Sequence, residues 1–278
     1  MSVTPAPVID RPTCNPTCTY HQDHRNDHSC SKCSNFYNRY VKLSESQINI
    51  LTETTETQAR GTNTDIWKDS RKIRITGSTA HKVPVRDTTN PDNFIREQLY
   101  PTFVGNRFTE HGNSGEIKAK AMLRENGMDI SDSGTVVSSS NPWLSVSPDG
   151  IINMNSENVL LEIKCPIVET DSLQTYFASG KYDVVRVDDT NRLKPKGPRG
   201  YYLQVQLTLH VCNLRKCYFL VWTPAEYQTV EVIYDEVFCD REITRLKNFY
   251  FQKFLPRIVD EYESTRFSLS EKYKDLVV

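Results

Sequence analysis

Two carboxylates and one lysine lie close together in the middle of the 278-residue chain: Asp149 within SPDG, then Glu162 and Lys164 within LEIK. Carboxylate oxygens are hard ligands suited to Mg²⁺ or Mn²⁺, and a nearby ammonium can orient an attacking water or offset charge developing on a phosphate. These residue types suit phosphodiester hydrolysis. They also describe a solvated hairpin, because Asp-Gly turns are common and alternating charges ordinarily face water. A second group lies near the start, where Cys14-x3-Cys18 and Cys30-x2-Cys33 enclose His21, His24 and His28, three of the six histidines. Two closely spaced cysteine pairs can close one tetrahedral Zn²⁺ site, and histidine can replace a thiolate. The alternative is an unliganded tail, since the 11 residues between the pairs are few and carry no clear apolar core. No H-E-x-x-H motif accompanies them, which speaks against catalytic zinc.

The elements that must position the first group are readable from periodicity. Residues 159–164 form a mostly apolar run of strand length, and residues two apart on a strand share a face, so Glu162 and Lys164 point the same way. Asp149 occupies a Pro-Asp-Gly turn after a strand-like segment at 143–146, and Ile151-Ile152 leads to another turn over 153–158. Pairing of the flanking strands would bring Asp149 beside Glu162. Upstream, residues 91–127 read as helix in two pieces separated near 101–106. In the second piece Ala119, Met122 and Leu123 form an apolar stripe, with Glu116 one turn earlier on nearly the same side. Glu116 is therefore either an inward-facing acid or a first-turn glutamate favoured by the helix dipole. Gly127 supplies a stop, and residues 130–139 read as a strand.

Ile73 and Ile75 alternate as a strand ending at Gly77-Ser78, and Ser78 is placed to cap a following helix. With Arg71, Lys72 and Arg74 nearby, this is an anion site or simply a cap beside a solvated basic strand. Residues 44–51 read as a short lead-in helix followed by a polar run. Residues 172–182 read as helix, and 183–200 as a loop whose Lys194, Lys196 and Arg199 could meet a nucleic-acid backbone or only solvent. Length assigns 201–212 to a helix carrying Gln204, while 216–222 and 229–234 read as strands. A long amphipathic helix over 240–264 is expected to kink or end at Pro256. The last 14 residues read as peripheral.

Composition bounds the rest. With 37% hydrophobic and 25% charged residues, 14 Tyr and 11 Phe, the chain is globular. A net charge of −1 provides no global basic field, so any nucleic-acid surface must be local. The first residues lack an apolar signal core, and no run approaches the roughly 18 apolar residues of a membrane span. An intracellular location, nuclear or in another DNA-containing compartment, is expected. Cys165, Cys212, Cys217 and Cys239 read as reduced thiols.

The order of features resembles the lambda-exonuclease and YqaJ viral-recombinase branch of the PD-(D/E)xK nuclease superfamily. The matching residues are Trp67-x3-Arg71 before ITGS at 75–78, Gly115-Glu116, SPDG at 147–150, LEIKCP at 161–166 and YLQVQ at 202–206. The resemblance covers about residues 67–234. It implies a restriction-endonuclease-like α/β core, a central mixed β-sheet flanked by helices, over 65–278. A Cys/His-rich segment over 1–40 and a linker or lead-in helix over 41–64 would precede it. By resemblance, Asp149, Glu162 and the Ile163 backbone carbonyl would ligate Mg²⁺ or Mn²⁺ in a two-metal site, with Glu116 completing the acidic cluster. Lys164 would position or activate water, and Gln204 would steady the lysine or the nucleophile. Arg71 and Ser78 would hold a 5′-phosphate. The implied activity is 5′→3′ exonuclease action on duplex DNA with free 5′ ends, in recombination or DNA processing with a recombination partner. A structure-specific or nonspecific endonuclease, or a silent zinc-containing DNA-binding scaffold, are the competing readings. Some relatives are homotrimeric rings, but no residue here marks such an interface.

Overall fold

The computed structural model describes residues 30–56, 64–86, 88–102, 105–154, 157–168 and 172–277. Its strands are β1 (Ile75–Thr76), β2 (Ile130–Ser131), β3 (Val136–Val137), β4 (Leu144–Val146), β5 (Gly150–Asn153), β6 (Asn158–Lys164), β7 (Val184–Val187), β8 (Thr190–Leu193), β9 (Lys216–Trp222) and β10 (Tyr227–Ile233). Its helices are α1 (Ser31–Phe36), α2 (Glu45–Thr55), α3 (Asp65–Lys72), α4 (Asp92–Leu99), α5 (Arg107–Glu125), α6 (Leu173–Ala178), α7 (Tyr201–Val211), α8 (Glu236–Phe249), α9 (Leu255–Glu263) and α10 (Glu271–Val277).

Strand β6 lies at the middle of a five-stranded mixed sheet of order β10-β9-β6-β5-β2, antiparallel to β5 and parallel to β9. Its apolar run follows from burial on both faces. Leu160 packs with Val205, Leu209 and Phe219 beneath α7, whereas Leu161 and Ile163 pack with Ala119, Leu123 and Leu220 beneath α5. The expected mixed sheet flanked by helices is therefore present. A smaller sheet, β1-β4-β3, holds the segments that lead into the acidic turn. The single strand expected over 130–139 is divided between the two sheets, β2 pairing with β5 and β3 with β4.

A helical layer packs its own core, which combines residues of α1, α2, α4, α8, α9 and α10 with Trp143, Leu144, Leu203 and Leu207. Helix α2 begins with a reciprocal cap: Gln47 N donates to Ser44 Oγ at 3.3 Å, and Ser44 N donates to Gln47 Oε1 at 2.8 Å. Pro256 does not end the C-terminal helix. The chain widens into a π turn at Tyr250–Phe254, which places the proline in the first turn of α9, where its missing N–H is tolerated.

Three other expectations are corrected. Residues 183–200 are not all loop, because β7 and β8 form a hairpin whose turn residues Asp188 and Asp189 take φ of 46° and 61°. Positive φ at both central positions matches strand twist, and Asp tolerates it. Ser78 caps no helix; only a short 3₁₀ turn, Ala80–Lys82, follows, and Thr79 precedes it. The last residues are not peripheral, since Phe267, Leu269 and Tyr273 are buried in the helical core. Tyr273 joins a cluster around Arg74, which is 0% exposed despite its charge. The Arg74 guanidinium donates to the carbonyls of Pro142 (2.9 Å), Ser70 (2.9 Å), Val41 (2.7 Å) and Tyr40 (3.4 Å) and to Tyr273 Oη (2.9 Å). Among the described residues, no helix is long and apolar enough to cross a membrane.

Candidate active site

The β5–β6 hairpin builds the acidic centre. Gly150 is the register partner of Leu161, so Asp149, just before β5, lies beside Glu162. Asp149 Oδ2 accepts the Ile163 backbone N–H at 2.7 Å. Glu162 and Lys164 share a face, as expected, and Lys164 Nζ lies 2.5 Å from Glu162 Oε1. Gln204, on α7, donates to the same oxygen at 2.5 Å. Glu162 is 1% exposed, and its Oε2 has no hydrogen-bond partner among the described residues. Burial, reinforced by the charge of Asp149 and opposed by Lys164, pushes the Glu162 pKa up to about 8. Burial alone would lower the pKa of Lys164, but Glu162 and Asp149 outweigh it, and the ammonium is held well above its ordinary value.

Glu116 reaches this centre from the interior of α5, nine residues past its first, so the helix-dipole account of it does not apply. Its approach depends on Gly115. A Cβ there would lie 2.6 Å from Cys165 Cβ and 2.7 Å from its sulfur, so only glycine lets α5 sit this close to the end of β6. Lys120 pairs with Glu116 at 2.9 Å and with Asp132 at 3.3 Å, and Arg124 pairs with Asp132 at 2.9 Å. Lys120 and Asp132 thus hold Glu116, and the i, i+4 spacing of Glu116 and Lys120 is the local signal of such a helical ion pair. Burial and then Asp149 raise the Glu116 pKa against the pull of Lys120.

Among the described residues, no three His, Cys, Asp or Glu side chains gather closely enough to enclose a metal by themselves. Asp149, just before β5, and Glu162, on β6, nevertheless bring carboxylate oxygens side by side, and the buried Glu162 Oε2 has no hydrogen-bond partner among the described residues. Such a partial set suits Mg²⁺ or Mn²⁺, since Mg²⁺ keeps several waters and takes one or two carboxylates.

The basic side is formed by α3 and the turn after β1. Arg71 stacks on Trp67, its guanidinium carbon 4.6 Å from the ring centroid. It donates to Ser78 Oγ at 3.0 Å and to Ser147 Oγ at 3.5 Å, and Ser147 leads directly into Pro148 and Asp149. Burial lowers the Arg71 pKa to about 10, which leaves it cationic at neutral pH. Arg71 and Ser78 therefore meet as expected, on the flank of the acidic centre. A cavity of about 360 Å³ opens beside that centre, lined by Glu116, Asp149, Lys164, Tyr182, Arg199 and Tyr201 among others.

Of the expected zinc ligands, Cys14 and Cys18 lie outside the described residues, as do His21, His24 and His28. Cys30 and Cys33 are buried at the start of α1, where the Cys33 N–H donates to Cys30 Sγ at 3.2 Å.

Residues 66–215 match the model of the family described as the YqaJ-like viral recombinase domain. The fold is similar to that of LHK-Exo, an alkaline exonuclease from Laribacter hongkongensis, with a TM-score of 0.53 at 21% identity, covering 73% of this chain and 98% of that one. Its complex with dAMP gives 0.54 at 19% identity, covering 73% and 99%. The SOX protein of KSHV, in a complex with RNA, gives 0.52 at 12% identity, covering 84% and 85%. Among curated proteins none matches. At these identities the structural likeness concerns the fold. The family match spans more than half the chain and includes Arg71, Ser78, Glu116, Asp149, Glu162, Lys164 and Gln204. The chain belongs to the YqaJ-like viral recombinase domain family.

Proposed function

We propose that the protein is a Mg²⁺- or Mn²⁺-dependent deoxyribonuclease that works 5′→3′ as an exonuclease on duplex DNA ends, in recombination or DNA processing. The observation that carries this reading is the meeting of Asp149, Glu162 and Lys164 beside the Arg71–Ser78 pair. Asp149, Glu162 and the Ile163 carbonyl would hold the metal, with Glu116 as the further acid. Bound there, divalent cations would stabilise charge on the attacking and leaving oxygens and make water a better nucleophile. Lys164 and Gln204 both bond Glu162 Oε1, which directs Oε2 to any incoming ligand. The Lys164 ammonium, 5.2 Å from the Tyr201 ring centroid, is a fixed cation for water or phosphate oxygen. Arg71 and Ser78 offer a guanidinium fork and a hydroxyl to a terminal phosphate.

Digestion of end-labelled linear duplexes and covalently closed circles, with Mg²⁺, Mn²⁺ or chelator, tests the proposal. Linear 5′-phosphorylated DNA should be consumed only with metal, and 5′-hydroxyl ends should be poor substrates. Arg71→Ala should lower digestion of phosphorylated ends by about tenfold or more, the worth of a charge-assisted contact, and erase the preference between ends. Cutting of closed circles would instead support an endonuclease. No digestion with either metal would support a silent scaffold.

We also propose a structural Zn²⁺ held by Cys14, Cys18, Cys30 and Cys33. The reading is supported by the paired spacing and by the Cys30–Cys33 geometry at α1. Elemental analysis should find one zinc per chain, lost on substitution of Cys30 or Cys33 by Ser; a metal-free, folded protein would sink it.

A further inference from the structure

The active-site cavity has a second cationic wall beyond the residues that the proposed chemistry uses. Arg199 and Tyr182 line it together with Lys164. The Arg199 guanidinium carbon lies 5.4 Å from the Tyr182 ring centroid. Its electrostatic neighbours are tyrosines, and among the described residues no carboxylate pairs with it. Tyr182 is 1% exposed, yet its hydroxyl has no hydrogen-bond partner among the described residues. Arg199 and Tyr182 thus border one cavity, and among the described residues the exposed guanidinium has no carboxylate and the buried hydroxyl no hydrogen-bond partner. Both are donors suited to a phosphate oxygen.

Most basic loops are simply solvated, but this one is built in place. Asp183, 0% exposed, accepts the Arg199 N–H on Oδ1 and the Tyr201 N–H on Oδ2, each at 3.0 Å. Its own carbonyl accepts the Lys194 N–H at 2.8 Å. The loop closes so tightly over this carboxylate that a Cβ at Gly197 would fall 2.3 Å from Asp183 Cγ. Gly200 then turns into α7 with φ of +71°. A buried carboxylate spent on two loop N–H groups fixes where Arg199 leaves the backbone. It also ties Arg199 to Tyr201, whose ring faces the Lys164 ammonium.

We infer that Arg199 and the Tyr182 hydroxyl form a second phosphate subsite, which grips the backbone phosphate neighbouring the scissile one on the DNA strand being cut. This rests on the nuclease reading and deepens it. Arg71 reaches the centre through Ser147 on the Asp149 side, while Arg199 reaches it through Tyr201 on the Lys164 side. The strand is held by an arginine on each flank of the metal-binding carboxylates. Asp183 is a positioning residue in this scheme.

Binding of a labelled 5′-phosphorylated duplex with Mg²⁺ present, in a Lys164→Met background to prevent turnover, separates the outcomes. Fluorescence anisotropy across a salt series gives the affinity and the slope of log K against log salt. Arg199→Ala should weaken binding about tenfold at low salt and reduce the slope magnitude by about 0.7 to 0.9, one phosphate contact. Arg199→Lys should keep the slope, a result that a purely structural role would not produce. Tyr182→Phe should weaken binding about threefold or more at unchanged slope, as for one lost hydrogen bond. An unchanged slope in Arg199→Ala overturns the subsite alone, and unchanged affinity in Tyr182→Phe removes the hydroxyl from it. Failure of the Lys164→Met protein to bind DNA at all overturns the nuclease reading and the subsite with it.

Discussion

Lys164→Met is expected to lower metal-dependent DNA digestion about a thousandfold, roughly 4 kcal/mol of transition-state stabilisation, within the range for a positioned charged or proton-transferring group. Methionine keeps an apolar stem beside Tyr201 and removes only the ammonium. The fold should survive, because Gln204 still bonds Glu162 and a carboxyl already pushed up to about 8 can take a proton when its partner is lost. Circular dichroism melting of the variant checks this. The neutral isostere Glu162→Gln should match the loss of activity and do more: it should abolish the rise in melting temperature that Mg²⁺ or Mn²⁺ gives the wild type, since a ligand stabilises only the state it binds. A Lys164→Met enzyme within tenfold of wild type would remove the lysine from the chemistry. A Glu162→Gln protein still stabilised by metal would move the metal elsewhere.

Arg74→Ala should destabilise the protein by about 4 kcal/mol or more, a large part of the roughly 5 to 15 kcal/mol that holds an ordinary domain together. The argument rests on what remains behind. Four backbone carbonyls and the Tyr273 hydroxyl lose their donor in a region closed to water. Each unsatisfied buried group costs about 1 to 3 kcal/mol, less than additively because the site relaxes. Tyr273→Phe removes one hydroxyl that also donates to the Tyr40 carbonyl at 2.8 Å, and should cost about 1 to 2 kcal/mol. Urea unfolding measures both, and a loss below about 1 kcal/mol in Arg74→Ala would show that the carbonyls find other partners.

The residues that do the proposed chemistry were legible because local rules place them. Period two puts Glu162 and Lys164 on one face, and the Asp-Gly turn brings Asp149 alongside. Helix length and the YLQVQ pattern place Gln204. Long-range packing was not legible. A lone arginine between Ile73 and Ile75 reads as a solvated strand residue, because nothing local announces the four acceptors contributed from distant segments. The same holds for Asp183, whose partners become neighbours only when the loop closes over it. The β7–β8 hairpin was missed for a different reason. Its Asp-Asp turn joins a four-residue Val-rich strand to a mostly polar one, and the Lys, Pro and Gly that follow dominate the composition. At the end of the chain the apolar residues Phe267, Leu269 and Tyr273 are interspersed with Ser, Lys and Glu, which hid the helix whose Tyr273 completes the core.

The position of β6 between an antiparallel and a parallel neighbour has a consequence for how activity is lost. Glu162 pairs in register with Phe219, and Lys164 with Val221, on the β9 side of β6, while the β5 side places Leu161 beside Gly150. A slip of one residue would present Leu161 and Ile163 to the cavity and press both charges into the apolar layer beneath α5. No register places half of the set correctly. The catalytic group is therefore counted in whole molecules: a partly denatured sample should lose turnover number in proportion to its folded fraction, with the KM of the survivors unchanged.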